Sequence, residues 1–171
     1  TPCGTLFPYT TLFRSAGTCP IVVTRTYTIT DECGNSVTLT HNINIDDTQA
    51  PVVTGSITNS TVEGCDISAV PAAETTVADI EALAGGVTID DVCTSDANLT
   101  VASADVNAGT CPIVVTRTYT ITDECGNSVT LTHIINIDDT QAPVVTGSIT
   151  NSTVEGCDIS AVPAAETTVA D

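Results

Sequence analysis

The run Ile113–Asp138, IVVTRTYTITDECGNSVTLTHIINID, decides the fold. In its first half Ile113, Val115, Arg117, Tyr119 and Ile121 fall on one face, while Val114 and a row of threonines fall on the other. A period of two marks a half-buried β-strand, because successive side chains of a strand point to opposite sides. After the turn signalled by Cys125, Gly126 and Asn127, the alternation resumes with Val129, Leu131, His133, Ile135 and Ile137. The segment reads as a β-hairpin with one apolar face, and such a face needs a second layer to cover it.

The hairpin occurs twice. Gly17–Asp79 recurs as Gly109–Asp171, an offset of 92 residues (109 minus 17), with one difference, Asn42 against Ile134. A fixed internal period signals a tandem-repeat architecture. Residues 5–15, TLFPYTTLFRS, stand apart and resemble the codon-by-codon translation of a short-read sequencing adapter, so they are excluded from fold reasoning. The organisation that follows is a sequencing artefact over 1–15, the C-terminal part of a repeat over 16–47, one complete repeat over 48–139, and the N-terminal part of the next over 140–171. Neither flank holds enough strands to close a sandwich, so each would expose an apolar face and unpaired edges. The tail is therefore expected to pack on the head of a neighbouring copy. Residues 1–15 are expected to trace the path that 93–107 take in the complete repeat, with Cys3 approaching Cys33.

Weaker strand signals, rich in Val, Ile and Thr, lie at Val52–Val62, Gly86–Asp90 and Leu99–Val106. Between them, TTVADIEALAGG predicts one short helix per repeat: Thr76 as N-cap, Asp79 three positions on, apolar Val77, Ile80 and Leu83, and a stop at Gly85. Strands of this kind with closely spaced turns argue for an all-β, two-layer sandwich.

A 92-residue repeat is small enough for its core to need covalent help. The complete repeat carries Cys65, Cys93, Cys111 and Cys125, with Cys19, Cys33 and Cys157 as copies and Cys3 outside the pattern. There is no CxxC spacing and only one His per repeat, so disulfides are favoured over zinc. Disulfides point to an extracellular, secreted or cell-surface setting. The chain has 21 Asp+Glu against 3 Lys+Arg, for a formal net charge of −18. Such a surface repels nucleic acid and anionic membranes, leaving cations or basic partners as candidates.

YTITDECGNSVTLTHNINIDDTQAPVV resembles the end of one hyalin-repeat (HYR) domain and the start of the next, and GTCPIVVTR with four cysteines resembles a bacterial four-cysteine form of that family. The resemblance implies immunoglobulin-like modules in tandem arrays on large secreted or surface proteins, serving adhesion or scaffolding. It implies no catalytic residue and no required cofactor, and neighbouring repeats or copies in a fibre as partners. In the sandwich it implies, Cys93 would meet Cys125 at one pole and Cys65 would meet Cys111 at the other. The linker carboxylates Asp46 and Asp47 would reach a pole bearing Asp90, Asp91, Asp96, Asp123 and Glu124, an oxygen-rich set suited to calcium. A calcium- or carbohydrate-binding surface adhesin is the alternative function. Asn59, Asn98 and Asn151 open N-x-S/T triplets and are candidate glycosylation sites. An enzyme is not expected: His41 and His133 fall on the apolar face with no triad-like partners, and Arg25 and Arg117 on that face read as members of structural ion pairs.

Overall fold

The computed structural model describes residues 7–16, as backbone, and 19–166. It is all-β apart from one short helix and two 3-10 turns. The chain divides into two compact units, Thr1–Thr140 and Gln141–Asp171. In the first unit, strands β1 (Phe7–Ala16), β2 (Ile21–Thr30) and β3 (Ser36–Ile45) form one antiparallel sheet. The complete repeat then builds β4 (Val52–Thr54), β5 (Ser60–Glu63), helix α1 (Val77–Glu81), β6 (Thr88–Asp90), β7 (Thr100–Ala108), β8 (Ile113–Thr122) and β9 (Ser128–Asp138).

The hairpin expected from the alternation is β8–β9, paired from Ile113↔Ile137 to Thr122↔Ser128. β7 adds antiparallel to β8 and β5 adds parallel to β9, giving the order β5-β9-β8-β7. β4 and β6 make a separate two-stranded sheet. The long candidate Val52–Val62 is therefore two short strands that pair with different partners. Val115, Arg117, Tyr119, Ile121, Leu131, His133, Ile135 and Ile137 are all buried, as the period of two requires. The larger core cluster joins Tyr119, Ile121 and Leu131 of the hairpin to Ile89 of β6 and Val77 and Ile80 of α1. A smaller one joins Val115, Ile135 and Ile137 to Val62 and to Ala69 and Val70 beside the 3-10 turn Ile67–Ala69.

The helix forms as its caps predict. Thr76 Oγ1 accepts the Asp79 amide at 3.2 Å and donates to the Asp79 carboxylate at 2.6 Å, a reciprocal arrangement that satisfies an otherwise orphaned donor. Glu81 accepts the Ile89 amide at 2.7 Å and so ties the helix to β6. Gly85, at φ +130°, ends this segment where a Cβ would overlap the Ser56 carbonyl oxygen.

The polar residues on the inner face are also accounted for. Arg117 is 4% exposed and makes two charge-assisted bonds to Asp105 on β7, Nε–Oδ1 2.9 Å and Nη2–Oδ2 2.8 Å, plus one to the Pro71 carbonyl. That interaction holds the Asp105 carboxyl below the usual range. His133 Nε2 lies 3.0 Å from Ser60 Oγ, bridging β9 to β5, while its Nδ1 is buried without a partner. Burial, followed by the Arg117 charge, lowers the His133 pKa.

The repeat supplies its own control. β2–β3 and β8–β9 have the same sequence apart from Asn42/Ile134, and their hairpin registers correspond residue for residue. The second hairpin is covered much more fully: Leu131 is 8% exposed, whereas its copy Leu39 is 56% exposed. β1 occupies the place on β2 that β7 occupies on β8, with Ala16↔Val22 matching Ala108↔Val114. The β1–β2 register shifts between Thr10 and Phe13, an irregularity that the β7–β8 pairing does not have. The expected approach of Cys3 to Cys33 lies outside the described residues, as does the path of residues 1–6.

Two predictions follow from burial. Leu131→Ala should cost about 3 kcal/mol in denaturant unfolding, the range for deleting a buried leucine, whereas Leu39→Ala should change it by less than about 0.5 kcal/mol. Because the folded state disfavours protonated His133 while the unfolded chain takes a proton near pH 6.5, stability should be fullest above that pH and fall as pH drops through it. Replacing His133 with Gln should flatten the unfolding free energy between pH 7 and 5; an unchanged slope would exclude His133 as the cause.

Candidate functional site at the repeat junction

The linker after β3 runs from Asp46 to Pro51 and delivers the preceding repeat onto one pole of the complete one. That pole is built from two acidic turns. In the β8–β9 turn, Asp123 Oδ1 accepts the amides of Cys125 and Asn127, each at 2.8 Å, and Oδ2 accepts Asn127 Nδ2 at 2.8 Å. Gly126, at φ +91°, supplies the left-handed residue that closes this turn. After β6, Asp91 Oδ1 accepts the amides of Cys93 and Thr94 at 2.9 and 2.7 Å. Thr94 Oγ1 in turn accepts the Glu124 amide at 3.3 Å, which pins the two turns together.

The linker docks there through a hydrogen bond from Asn127 Nδ2 to the Asp47 carbonyl at 3.0 Å. Carboxylate oxygens of Asp47, Asp91 and Asp123 then lie within 4.8 Å of one another. Burial pushes the Asp123 pKa up, but the hydrogen bonds from Asn127, Cys125 and Gly126 outweigh it and the carboxyl stays below the usual range. Three of the seven expected metal-site residues thus converge. Asp46 and Glu124 line the neighbouring cleft of about 120 Å³, with Asp46 facing Cys19 at 3.5 Å. Asp90 sits at the end of β6, paired with Val52, and Asp96 lines a broad groove with Thr76, Leu99 and Val101.

The disulfide pattern differs from the expectation. Cys125 is bonded to Cys19 of the preceding repeat, with Cα atoms 5.1 Å apart, instead of to Cys93. Cys33 is also disulfide-bonded, while Cys65, Cys93, Cys111 and Cys157 are exposed free thiols. The reason is the docked linker, which brings the start of β2 to the Cys125 turn; an isolated sandwich contains no such competitor. Cys65 and Cys111 do share a pole, beside Asp139 (3.7 Å) and Asp138 (3.8 Å), without bonding each other. The Cys65 thiol pKa is raised, first by the Asp139 charge, and that of Cys93 first by desolvation and then by Asp47.

Asn59, Asn98 and Asn151 are all exposed, though the Asn98 amide already donates to Glu124 at 3.1 Å. His133, Arg117 and Tyr119 are enclosed in the sheet and do not reach this pole. Sequence reasoning missed Asn127 and Thr94 as junction residues; the only available signal was their place beside the two acidic turns. Among the described residues, no helix is long and apolar enough to cross a membrane. Compared with known proteins, the chain matches no protein-family model and no curated protein sequence.

Proposed function

We propose that this chain is a segment of an extracellular tandem-repeat stalk or filament, whose immunoglobulin-like, HYR-like modules serve adhesion or scaffolding. The observation that carries this reading is the junction: the linker after β3 is hydrogen-bonded, and Cys19 ahead of β2 is disulfide-linked, to the pole of the next repeat. An inter-module contact of that kind sets the spacing and direction of successive modules, which is what a stalk needs and a free-standing binding domain does not. A strongly acidic surface and exposed thiols able to form disulfides suit a secreted protein. No catalytic constellation enters this reading.

β9, the longest strand of the complete repeat, has 11 residues and spans roughly 37 Å at about 3.4 Å each. Arrays of two, four and six repeats should lengthen by about 40 Å per repeat in small-angle scattering, as expected from this strand rise. A radius of gyration that grows only as a compact globule would sink the stalk reading.

Calcium at the junction is a second reading, motivated by the convergence of Asp47, Asp91 and Asp123. Three hard oxygen donors from the linker and both turns would let one ion bridge successive modules. Millimolar calcium should then raise the melting temperature of the array, and Asp91→Asn should abolish the increment. An unchanged melting curve would leave these residues as a solvated acidic pole. The carbohydrate alternative has less behind it, since the Thr75–Val101 groove offers threonines and aliphatic side chains but no aromatic platform.

A further inference from the structure

The repeat period turns the observed junction into a rule for every junction. Cys19 and Cys111 are equivalent positions, as are Asp46 and Asp138, and Asp47 and Asp139 (each offset by 92). At the incoming end Cys19 Sγ lies 3.5 Å from Asp46 and is bonded to Cys125. At the outgoing end Cys111 Sγ lies 3.8 Å from Asp138 and is free. The two ends have the same local arrangement, and only the incoming one has a following pole to meet.

The remaining cysteines obey the same translation. Cys65 Sγ lies 3.7 Å from the Asp139 carboxylate at the outgoing end. At the incoming end Cys93 and Asp47, the copy of Asp139, line one cleft together with Cys19 and Cys125. Shifting the outgoing end by one repeat brings Cys65 and the next repeat's copy of Cys93 to a single aspartate. In this chain the position one repeat before Cys65 falls ahead of Thr1 (65 minus 92 is negative), so Cys93 meets no such thiol here.

We infer that each repeat junction is closed by two disulfides, Cys111 to the next repeat's counterpart of Cys125 and Cys65 to the next repeat's counterpart of Cys93. This inference rests on the stalk reading only in requiring that the repeats continue in tandem. Each bond forms as two thiols lose two protons and two electrons to a disulfide donor, R–S–S–R, which is reduced to two R–SH.

The pairing has a mechanical consequence. Tension entering a repeat at Cys125 leaves it at Cys111 after 14 residues (125 minus 111), and Ile113–Thr122 of those are already the extended strand β8. At about 3.4 Å per residue this path reaches roughly 48 Å, against roughly 310 Å for the 92 residues of an unlinked repeat. Unfolding a repeat could then hardly lengthen the fibre.

The test uses the whole chain continued past Asp171 with two further copies of residues 80–171, oxidised with glutathione disulfide, and with a protease site placed in one interior linker. Peptide mapping under non-reducing conditions should find Cys65-to-Cys93 and Cys111-to-Cys125 linked peptides, and the cleaved halves should separate only after reduction. Cys65-to-Cys111 and Cys93-to-Cys125 peptides, free interior thiols, or halves that part without reduction would each overturn the inference. In force spectroscopy the reduced array should extend in steps of roughly 28 nm, the 31 nm of unlinked chain less the folded length, and the oxidised interior repeats in none of that size. Full-length steps in the oxidised array would overturn the load path. If the cross-links form in an array that scatters as a compact globule, the stalk reading fails while the pairing stands.

Discussion

The apolar face of the β8–β9 hairpin is the constraint on which the rest of the complete repeat depends. Val115, Tyr119, Ile121, Leu131, Ile135 and Ile137 cannot remain in water without forfeiting the main favourable contribution to folding. Every other element of the repeat is placed to cover them. α1 and the β4–β6 sheet enclose one half, and β5 with the segment around Ala69 and Val70 encloses the other. The cover consists largely of one short helix and a two-stranded sheet, so the polar groups in the face need partners of their own. The Arg117–Asp105 pair and the Ser60–His133 bond supply partners, with His133 Nδ1 left without one, while joining β8 to β7 and β9 to β5.

The charge distribution explains why covalent bonds belong at the ends. With a net charge of −18 and acidic turns at the pole, successive modules repel. A disulfide is indifferent to this field once made. The Asp139 charge first raises the Cys65 thiol pKa, and desolvation followed by Asp47 raises that of Cys93, so once in a disulfide each would be a poor leaving group toward an attacking external thiolate. One acidic environment therefore opposes association and protects the bonds that enforce it.

The β8–β9 hairpin, its inward face and the helix with its Thr76 cap were legible in the residue order, because each depends on periodicity or on partners within a few positions, whereas the division of Val52–Val62 into two strands was not. Disulfide pairing was not. Cys125 had two eligible partners in different repeats, and only the docked position of the linker selects Cys19. The acidic site was legible as a composition but not as a set. Asp90 and Asp96 look equivalent to Asp91 in sequence, yet β6 ends with Asp90 paired to Val52 while Asp91 turns inward to hold the Cys93 and Thr94 amides.

Residues 50–79 and 142–171 are the same sequence in two surroundings, and they divide the two kinds of information. The 3-10 turns Ile67–Ala69 and Ile159–Ala161 form in both, each begun by an aspartate that accepts a serine amide at 2.8 Å, because every partner lies within the turn. Val52–Thr54 and Ser60–Glu63 become strands against β6 and β9, whereas their copies at 144–146 and 152–155 form none. Ile57 is 6% exposed in the core and its copy Ile149 is 99% exposed. The sequence by itself determined the turns, caps and alternation, whose hydrogen bonds close locally. Only the tertiary structure decided which edges pair, which apolar faces leave water and which cysteines meet, since a strand edge or a thiol has no partner until another segment brings one.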